Sequence, residues 1–132
     1  MNEELSLYKC NICGNIVEIA TDGGGQLVCC GEEMEKLKAQ HQDIYAEKHV
    51  PSVHFEGDLH QQMVFITIGE VEHPMTEEHH IQFIEAYSKD GVYIKRKRLK
   101  PHEKPELHFQ CSSSDMIVRA YCNIHGLWEK IL

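Results

Sequence analysis

Close to its start the chain places four cysteines, Cys10, Cys13, Cys29 and Cys30, on a segment that has almost nothing else to fold with. The alternating stretches Leu5 to Lys9, Asn15 to Ala20 and Gln26 to Val28 are short, and Gly14 and Gly23-Gly24-Gly25 interrupt them. Ordering a backbone costs roughly 1–2 kcal/mol per residue. So few apolar side chains do not offset that, and the segment needs a staple. A C-x-x-C turn brings two thiolates to one side of a tight loop, and the adjacent pair Cys29-Cys30 completes a tetrahedron of soft ligands suited to zinc or iron. Metal binding there is also folding free energy, on the order of 10 kcal/mol for structural zinc. Zinc is the commoner occupant of a four-cysteine site, so these residues alone leave the metal open. A disulfide between the contiguous Cys29 and Cys30 would strain the backbone.

A length of 132 residues allows one domain, or a small module attached to a domain of ordinary size. The hydrophobic fraction of 42% and charged fraction of 26% are those of a folded chain rather than a disordered one. No apolar run approaches the ~20 residues that span a bilayer, and Met1-Asn2-Glu3-Glu4 lacks the basic start of a secretory signal. The expectation is a cytoplasmic protein with no membrane partner. In that compartment thiols stay reduced, so six cysteines read as metal ligands or reactive thiols. A net charge of −8 argues against nucleic acid, whose affinity comes from Lys and Arg displacing counterions.

From Glu32 to Lys48 the composition is charged, and Met34, Leu37, His41, Ile44 and Tyr45 fall at loosely helical spacing. The stripe is thin and uncapped, which favours an extended connection over a helix. Beyond Val50 the period is nearer two, in Met63 to Ile68, Ile81 to Tyr87, Val92 to Ile94, Leu107 to Phe109, Met116 to Tyr121 and Leu127 to Leu132. With turns such as Lys89-Asp90-Gly91 between them, these predict an antiparallel β-sandwich. The division is 1–36 for the cysteine module, 37–48 for the linker and 49–132 for the sandwich.

The larger part carries Glu47-Lys48-His49-Val50-Pro51, His73-Pro74-Met75 with His79, and Cys122-Asn123-Ile124-His125-Gly126. Each histidine taken singly is an ordinary surface or hydrogen-bonded residue. Cys122 and His125, however, have a chelating spacing like C-x-x-C with one ligand exchanged. Pro74 biases His73 toward extended geometry, which helps hold its ring in one direction.

Tyr8-Lys9-Cys10-Asn11-Ile12-Cys13-Gly14-Asn15, with Val28-Cys29-Cys30-Gly31-Glu32-Glu33-Met34, resembles the desulforedoxin module, in which four thiolates hold one iron. Together with the histidine segments, the chain resembles desulfoferrodoxin, a two-iron superoxide reductase, over nearly its whole length. The resemblance implies a mostly β chain, a metal knuckle followed by a seven-stranded immunoglobulin-like sandwich. It implies two irons per chain, one bound by Cys10, Cys13, Cys29 and Cys30. The other would take equatorial nitrogens from His49, His73, His79 and His125, with an axial thiolate from Cys122. His79 rather than His80 matches the six-residue step from His73. The implied activity is one-electron reduction of superoxide to hydrogen peroxide without release of dioxygen, with rubredoxin or a similar small redox protein as electron donor. Lys48 would then attract superoxide and organise protons, and Glu47 would ligate the oxidised iron after product leaves. A homodimer is the expected assembly.

The interval from His49 to His73 is a few residues longer than the family pattern, with His54 to Gln62 as the expanded hairpin. His41, His54, His60, His102 and His108 match no motif and read as solvent-facing or structural. Cys111 reads as a buried small hydrophobe or an ordinary free thiol. The basic run Lys95-Arg96-Lys97-Arg98-Leu99-Lys100 reads either as a solvated strand or turn or as a docking patch for an acidic electron donor. Two rivals to the enzyme reading are a non-catalytic iron-binding electron-transfer protein, which would bind neither azide nor cyanide, and a zinc module fused to an interaction sandwich, which would be colourless.

Overall fold

Leu7, Cys10 and Met34 are the only buried side chains among the described residues of the first unit, Met1–Lys38. The computed structural model describes residues 4–41, 49–58, 62–69, 73–111 and 115–132. Three short strands, β1 (Leu7–Lys9), β2 (Ile16–Glu18) and β5 (Glu35–Lys36), form an antiparallel sheet in the order β2-β1-β5. The other two, β3 (Val28–Cys29) and β4 (Glu32–Glu33), form a hairpin across Cys30-Gly31. Both turn residues have positive φ, 54° at Cys30 and 79° at Gly31. That is the sense of the two-residue hairpin turns whose twist matches the flanking strands, and it is uncommon for a residue with a Cβ.

Among its described residues the second unit, Ala39–Leu132, holds seven strands: β6 (Pro51–Gly57), β7 (Gln62–Ile68), β8 (Ile81–Ser88), β9 (Ile94–Arg98), β10 (Glu106–Cys111), β11 (Met116–Cys122) and β12 (Gly126–Ile131). They form an antiparallel immunoglobulin-like sandwich of two sheets, ordered β10-β7-β6 and β12-β11-β8-β9. Val64, Ile66, Ile68 and Leu107 from the first sheet meet Ile84, Ala86, Val118 and Ala120 from the second in a single core. Alternation along each strand places these residues on the inner face and their neighbours outside. Among the described residues no helix is long and apolar enough to cross a membrane.

Two strands differ from the sequence reading. The β6 strand begins at a proline and alternates poorly, so it was not predicted, yet it pairs with β7 from Pro51↔Ile68 to Gly57↔Gln62. The interval between His49 and His73 therefore contains a hairpin whose arms reach Gly57 and Gln62. The β9 strand runs through the basic residues rather than ending at Ile94. Leu37 N donates to Leu7 O (2.8 Å), Gln40 bridges to Trp128, and residues 42–48 of the predicted connection lie outside the described residues.

On β8, Gln82 is skipped in the pairing with β11, where Tyr121 faces Phe83 but Cys122 faces Ile81. This bulge resets the alternation, so Ile81 and Cys122 join Ile84 and Ala120 in the core. Glu85 lies on the outer face of this sheet yet is 0% exposed, held by Arg119 Nε and Arg96 Nε at 2.8 Å each. The Arg119 guanidinium also stacks over Tyr87, 4.9 Å from the ring centroid. Removing one member of a buried ion pair leaves its partner uncompensated, at about 3–5 kcal/mol. Glu85→Ala is therefore expected to lower unfolding stability by about that amount in urea titration, and pairing it with Arg119→Leu is expected to restore most of the loss. A cost below about 1 kcal/mol for the single substitution would show that the network contributes nothing.

Candidate metal centres

In the first unit the contiguous Cys29 and Cys30 can face the same point because the left-handed turn at Cys30 breaks the strand alternation that would send them to opposite faces. Their Sγ atoms are 4.0 Å apart, and Cys13 Sγ is 3.6 Å from Cys29 Sγ. All four thiol sulfurs of Cys10, Cys13, Cys29 and Cys30 lie within 4.8 Å of one another. A tetrahedron of sulfurs about 2.3 Å from a metal has edges of about 3.8 Å, so the spacing fits one ion. Backbone N–H groups point at the sulfurs, Cys13 N to Cys10 Sγ at 3.4 Å and Asn15 N to Cys13 Sγ at 3.5 Å. The N–H groups of Cys13 and Ile12 lower the Cys10 thiol to about 6. The neighbouring Cys13 and Cys10 sulfurs push Cys29 up to about 12 and also raise Cys30. The lowered Cys10 thus favours the thiolate, while Cys29 and Cys30 hold their protons until a cation joins them.

The second group is assembled entirely at one end of the sandwich. His49 precedes β6, His73 follows β7, His79 precedes β8, Cys122 ends β11, and His125 sits in the β11–β12 turn. Since β6 starts beside the end of β7 and β8 starts beside the end of β11, these five positions share an edge of the core. Neighbouring rings lie 4.6 Å (His49–His73), 4.7 Å (His73–His79), 5.0 Å (His79–His125) and 4.8 Å (His125–His49) apart between centroids. Across the ring His49 and His79 are 6.4 Å apart, close to the diagonal of a square with such edges. Cys122 Sγ is the fifth donor, 3.9 Å from His125 Nδ1.

His49 Nε2 lies 3.0 Å from His73 Nε2 and 3.1 Å from His125 Nδ1. Two nitrogens at right angles around a metal about 2.1 Å away stand about 3.0 Å apart, so these distances fit a shared ion. His73 Nδ1 donates to the Pro74 carbonyl at 2.7 Å, which selects the tautomer with a lone pair on Nε2. Burial, assisted by the neighbouring imidazoles, lowers His73 to about 4 and keeps it a neutral donor. Burial raises Cys122, against backbone N–H groups of His125 and Ile124 that favour its thiolate. The His125 N–H to Cys122 Sγ distance is 3.4 Å.

The structure brings together His49, His73, His79, Cys122 and His125, and separately the four cysteines of the knuckle. Glu47, Lys48 and His60 lie outside the described residues. His80 stands apart from the cluster, its ring Nδ1 buried without a hydrogen-bond partner among the described residues. His41 pairs with Glu129 at 3.1 Å and His54 with Glu56 at 3.3 Å, while His108 stacks on Phe65 and His102 is exposed. Cys111 packs against the core with its Sγ 3.8 Å from Met116 Sδ.

Five residues to which the sequence assigned no supporting role hold the ligand segments. Trp128, fully buried, stacks on His49 at 4.8 Å and donates Nε1–H to the His125 carbonyl at 3.2 Å. Gln40 Nε2 donates to the same carbonyl at 2.8 Å. Gly126, at φ 87°, leaves room for that amide, since a Cβ there would lie 3.1 Å from Gln40 Nε2. Thr76 Oγ1 closes the turn ahead of His79 (3.1 Å from its N–H), and Asn123 ties the Cys122 turn to His80 N at 2.9 Å and Glu78 O at 3.0 Å. Thr76-x-x-His79, a side-chain-capped turn, was the one local signal available.

Two outcomes follow from this geometry. Since Cys29 and Cys30 must each lose a proton on metal binding, zinc affinity of the knuckle is expected to rise at least about 100-fold per pH unit near neutrality. Chelator competition between pH 6.5 and 7.5 measures this slope, and a pH-independent affinity would contradict it. Gln40→Ala is expected to weaken metal binding at the histidine centre about 10–100-fold while leaving the knuckle unchanged. Equal weakening at both centres would mean that the substitution acts through general stability.

The desulfoferrodoxin family profile matches residues 41–131, and that of the desulfoferrodoxin N-terminal domain matches residues 2–37. The chain is 50% identical over 129 residues to a desulfoferrodoxin homolog of Methanothermobacter thermautotrophicus, covering 97% of this chain and 99% of the relative. It is 43% identical over 129 residues to a desulfoferrodoxin of Nitratidesulfovibrio vulgaris, covering 98% of each. The crystal structure of the superoxide reductase from Treponema pallidum superposes with a TM-score of 0.69 at 28% identity, covering 98% of this chain and 99% of that one. The family has two iron sites, and the two donor groups described above provide them: iron, two per chain, one bound by four cysteines and one by four histidines and a cysteine. By sequence over its full length and by fold, this chain belongs to the desulfoferrodoxin family.

Proposed function

We propose that the chain is a superoxide reductase, converting superoxide to hydrogen peroxide with one electron and two protons and releasing no dioxygen. The observation that carries this reading is the square of four imidazoles with a single buried thiol as fifth donor. These five donors would hold one ion, and an ion that takes more than five ligands would leave room for one small anionic molecule. Iron bound there supplies the single electron, and a thiolate ligand enriches it for that transfer. The likeness to the Treponema pallidum superoxide reductase supports the same activity.

The chain's own residues prepare the site. His73 is locked in one tautomer by the Pro74 carbonyl, and Trp128 and Gln40 hold the His125 carbonyl, so the donors do not have to reorganise. Cys122, 0% exposed, keeps water from its sulfur. Lys48 adjoins His49 in sequence and is assigned the positive charge that offsets repulsion of superoxide by a chain of net charge −8. Glu47, two residues before His49 in the sequence, is assigned as a carboxylate that would bind the oxidised iron. A small redox protein such as rubredoxin returns the electron from outside.

Pulse radiolysis of the reduced protein tests this directly. One hydrogen peroxide per superoxide, without dioxygen, is the expected stoichiometry, and a non-catalytic electron carrier would consume none. Cys13→Ser is expected to abolish the tetrathiolate spectrum and keep the superoxide rate. Lys48→Ala is expected to lower the second-order rate and its dependence on ionic strength, because the removed charge is the one salt screens. An unchanged rate would leave Lys48 without a role in substrate attraction.

A further inference from the structure

The cations of β9 divide by face. Lys97, half-buried, donates Nζ–H to the Glu106 carbonyl of the opposite sheet at 3.2 Å, closing the flank of the sandwich. Arg96 shares the Glu85 carboxylate with Arg119, so those three groups together keep one positive charge. Lys95, Arg98 and Lys100 are exposed, and no carboxylate among the described residues pairs with them. A strand at the free edge of a sheet thus presents a row of cations in a chain of net charge −8.

This row leads toward the histidine centre. Arg98 lies opposite Phe83, near the start of β8, and Leu99 N donates to Gln82 O at 2.9 Å. The chain then turns through Lys100 and Glu103, and His102 N donates to the Met75 carbonyl at 2.6 Å. Between this turn and the ligand segment lies a surface depression of about 500 Å³, lined by His73, Pro74, Met75, His102, Glu103 and Lys104. Two carboxylates stand beside it with partners of their own: Glu103 Oε1 accepts the Lys100 backbone N–H at 3.2 Å, and Glu106 pairs with Lys104 at 3.7 Å. His73 forms part of the wall of the depression. Its Nδ1–H is bonded to the Pro74 carbonyl and its Nε2 faces the other donors. One imidazole therefore joins the depression to the centre, a path of bonded atoms in place of a solvent gap.

Resting on the proposed superoxide reductase activity, which needs an outside electron, we infer that the exposed cations Arg98 and Lys100 with the adjoining His73–Lys104 depression form the docking surface for a small acidic electron-transfer protein. Charge complementarity of this kind raises association and makes it sensitive to salt. The remaining cations of the row extend the same field along the edge strand, which also protects that edge from pairing with another sheet.

The test uses the full two-metal chain and, as probe, a rubredoxin carrying zinc in place of iron, so that binding is read with no electron passing. Arg98→Glu combined with Lys100→Glu is expected to weaken binding at low ionic strength by about tenfold or more and to flatten its salt dependence. Lys130→Glu, on β12, is the control and is expected to leave the affinity within about twofold. The chemically reduced double variant is expected to keep its second-order rate with superoxide, which also reports that it is folded. Unchanged probe affinity in the double variant would overturn the assignment, as would a parallel fall in the superoxide rate, which would place these cations on the substrate path. Absence of any superoxide reaction in the unsubstituted protein, with probe binding intact, would instead refute the activity on which the inference rests.

Discussion

Ring nitrogens of His73 and His125 both stand within 3.1 Å of His49 Nε2, inside a protein core where water is scarce. Without a cation, the ring protons satisfy these contacts only through competing arrangements. His73 has already used its one N–H on Pro74, so its Nε2 is an acceptor, and a single N–H on His49 cannot serve His73 and His125 equally well. An ion replaces these competing arrangements with a single one in which every lone pair points inward. Much of the sandwich's irregularity follows from this demand: the bulge at Gln82, the left-handed Gly126 and the capped turn at Thr76 each orient a ligand segment.

The two units solve the same problem with opposite resources. The sandwich has a continuous apolar core, and its metal ligands occupy the loop end, where strand packing fixes their anchors and leaves the segments between free to serve chemistry. Among its described residues the knuckle has three buried side chains, one of them in the cysteine group, so its sulfurs are both site and scaffold. Without metal, hydrogen bonds to the Cys13 and Cys10 sulfurs hold protons on Cys29 and Cys30, and those protons leave when metal binds. A contiguous cysteine pair is workable there only because the turn residue Cys30 adopts a left-handed conformation.

Legibility in the sequence followed how local each cause was. Cysteine spacing, the C-x-x-H chelate and the period-two strands are local signals, and the matching elements formed. The β6 strand was hidden because Pro51 opens it and its burial is uneven. The β9 strand was hidden because its inward positions hold lysines, which the sandwich accommodates by sending Lys97 across the flank to Glu106. Gln40 and Trp128 were beyond any local pattern, since the first meets His125 across 85 residues. The full burial of Glu85 on an outer face had no local signal either, because its partners Arg96 and Arg119 come from two other strands.

A charged outer network and a charged edge strand make sense together once the metal end is considered. Glu85 neutralises part of the cation density of β9 and β11 at mid-strand, where it would otherwise be buried at a cost of several kcal/mol. It has no such effect on Arg98 and Lys100, which lie beyond it toward the ligands. The cations of the strand that no carboxylate pairs with among the described residues are therefore at its ends, and Arg98 and Lys100 are at the end that borders His73. An acidic chain can carry such cations at one end without losing the net repulsion that keeps its copies apart, because at physiological salt their field extends only about 8 Å from the surface. Over that range it acts on a molecule already near the His73 end of the sandwich and leaves the rest of the surface acidic.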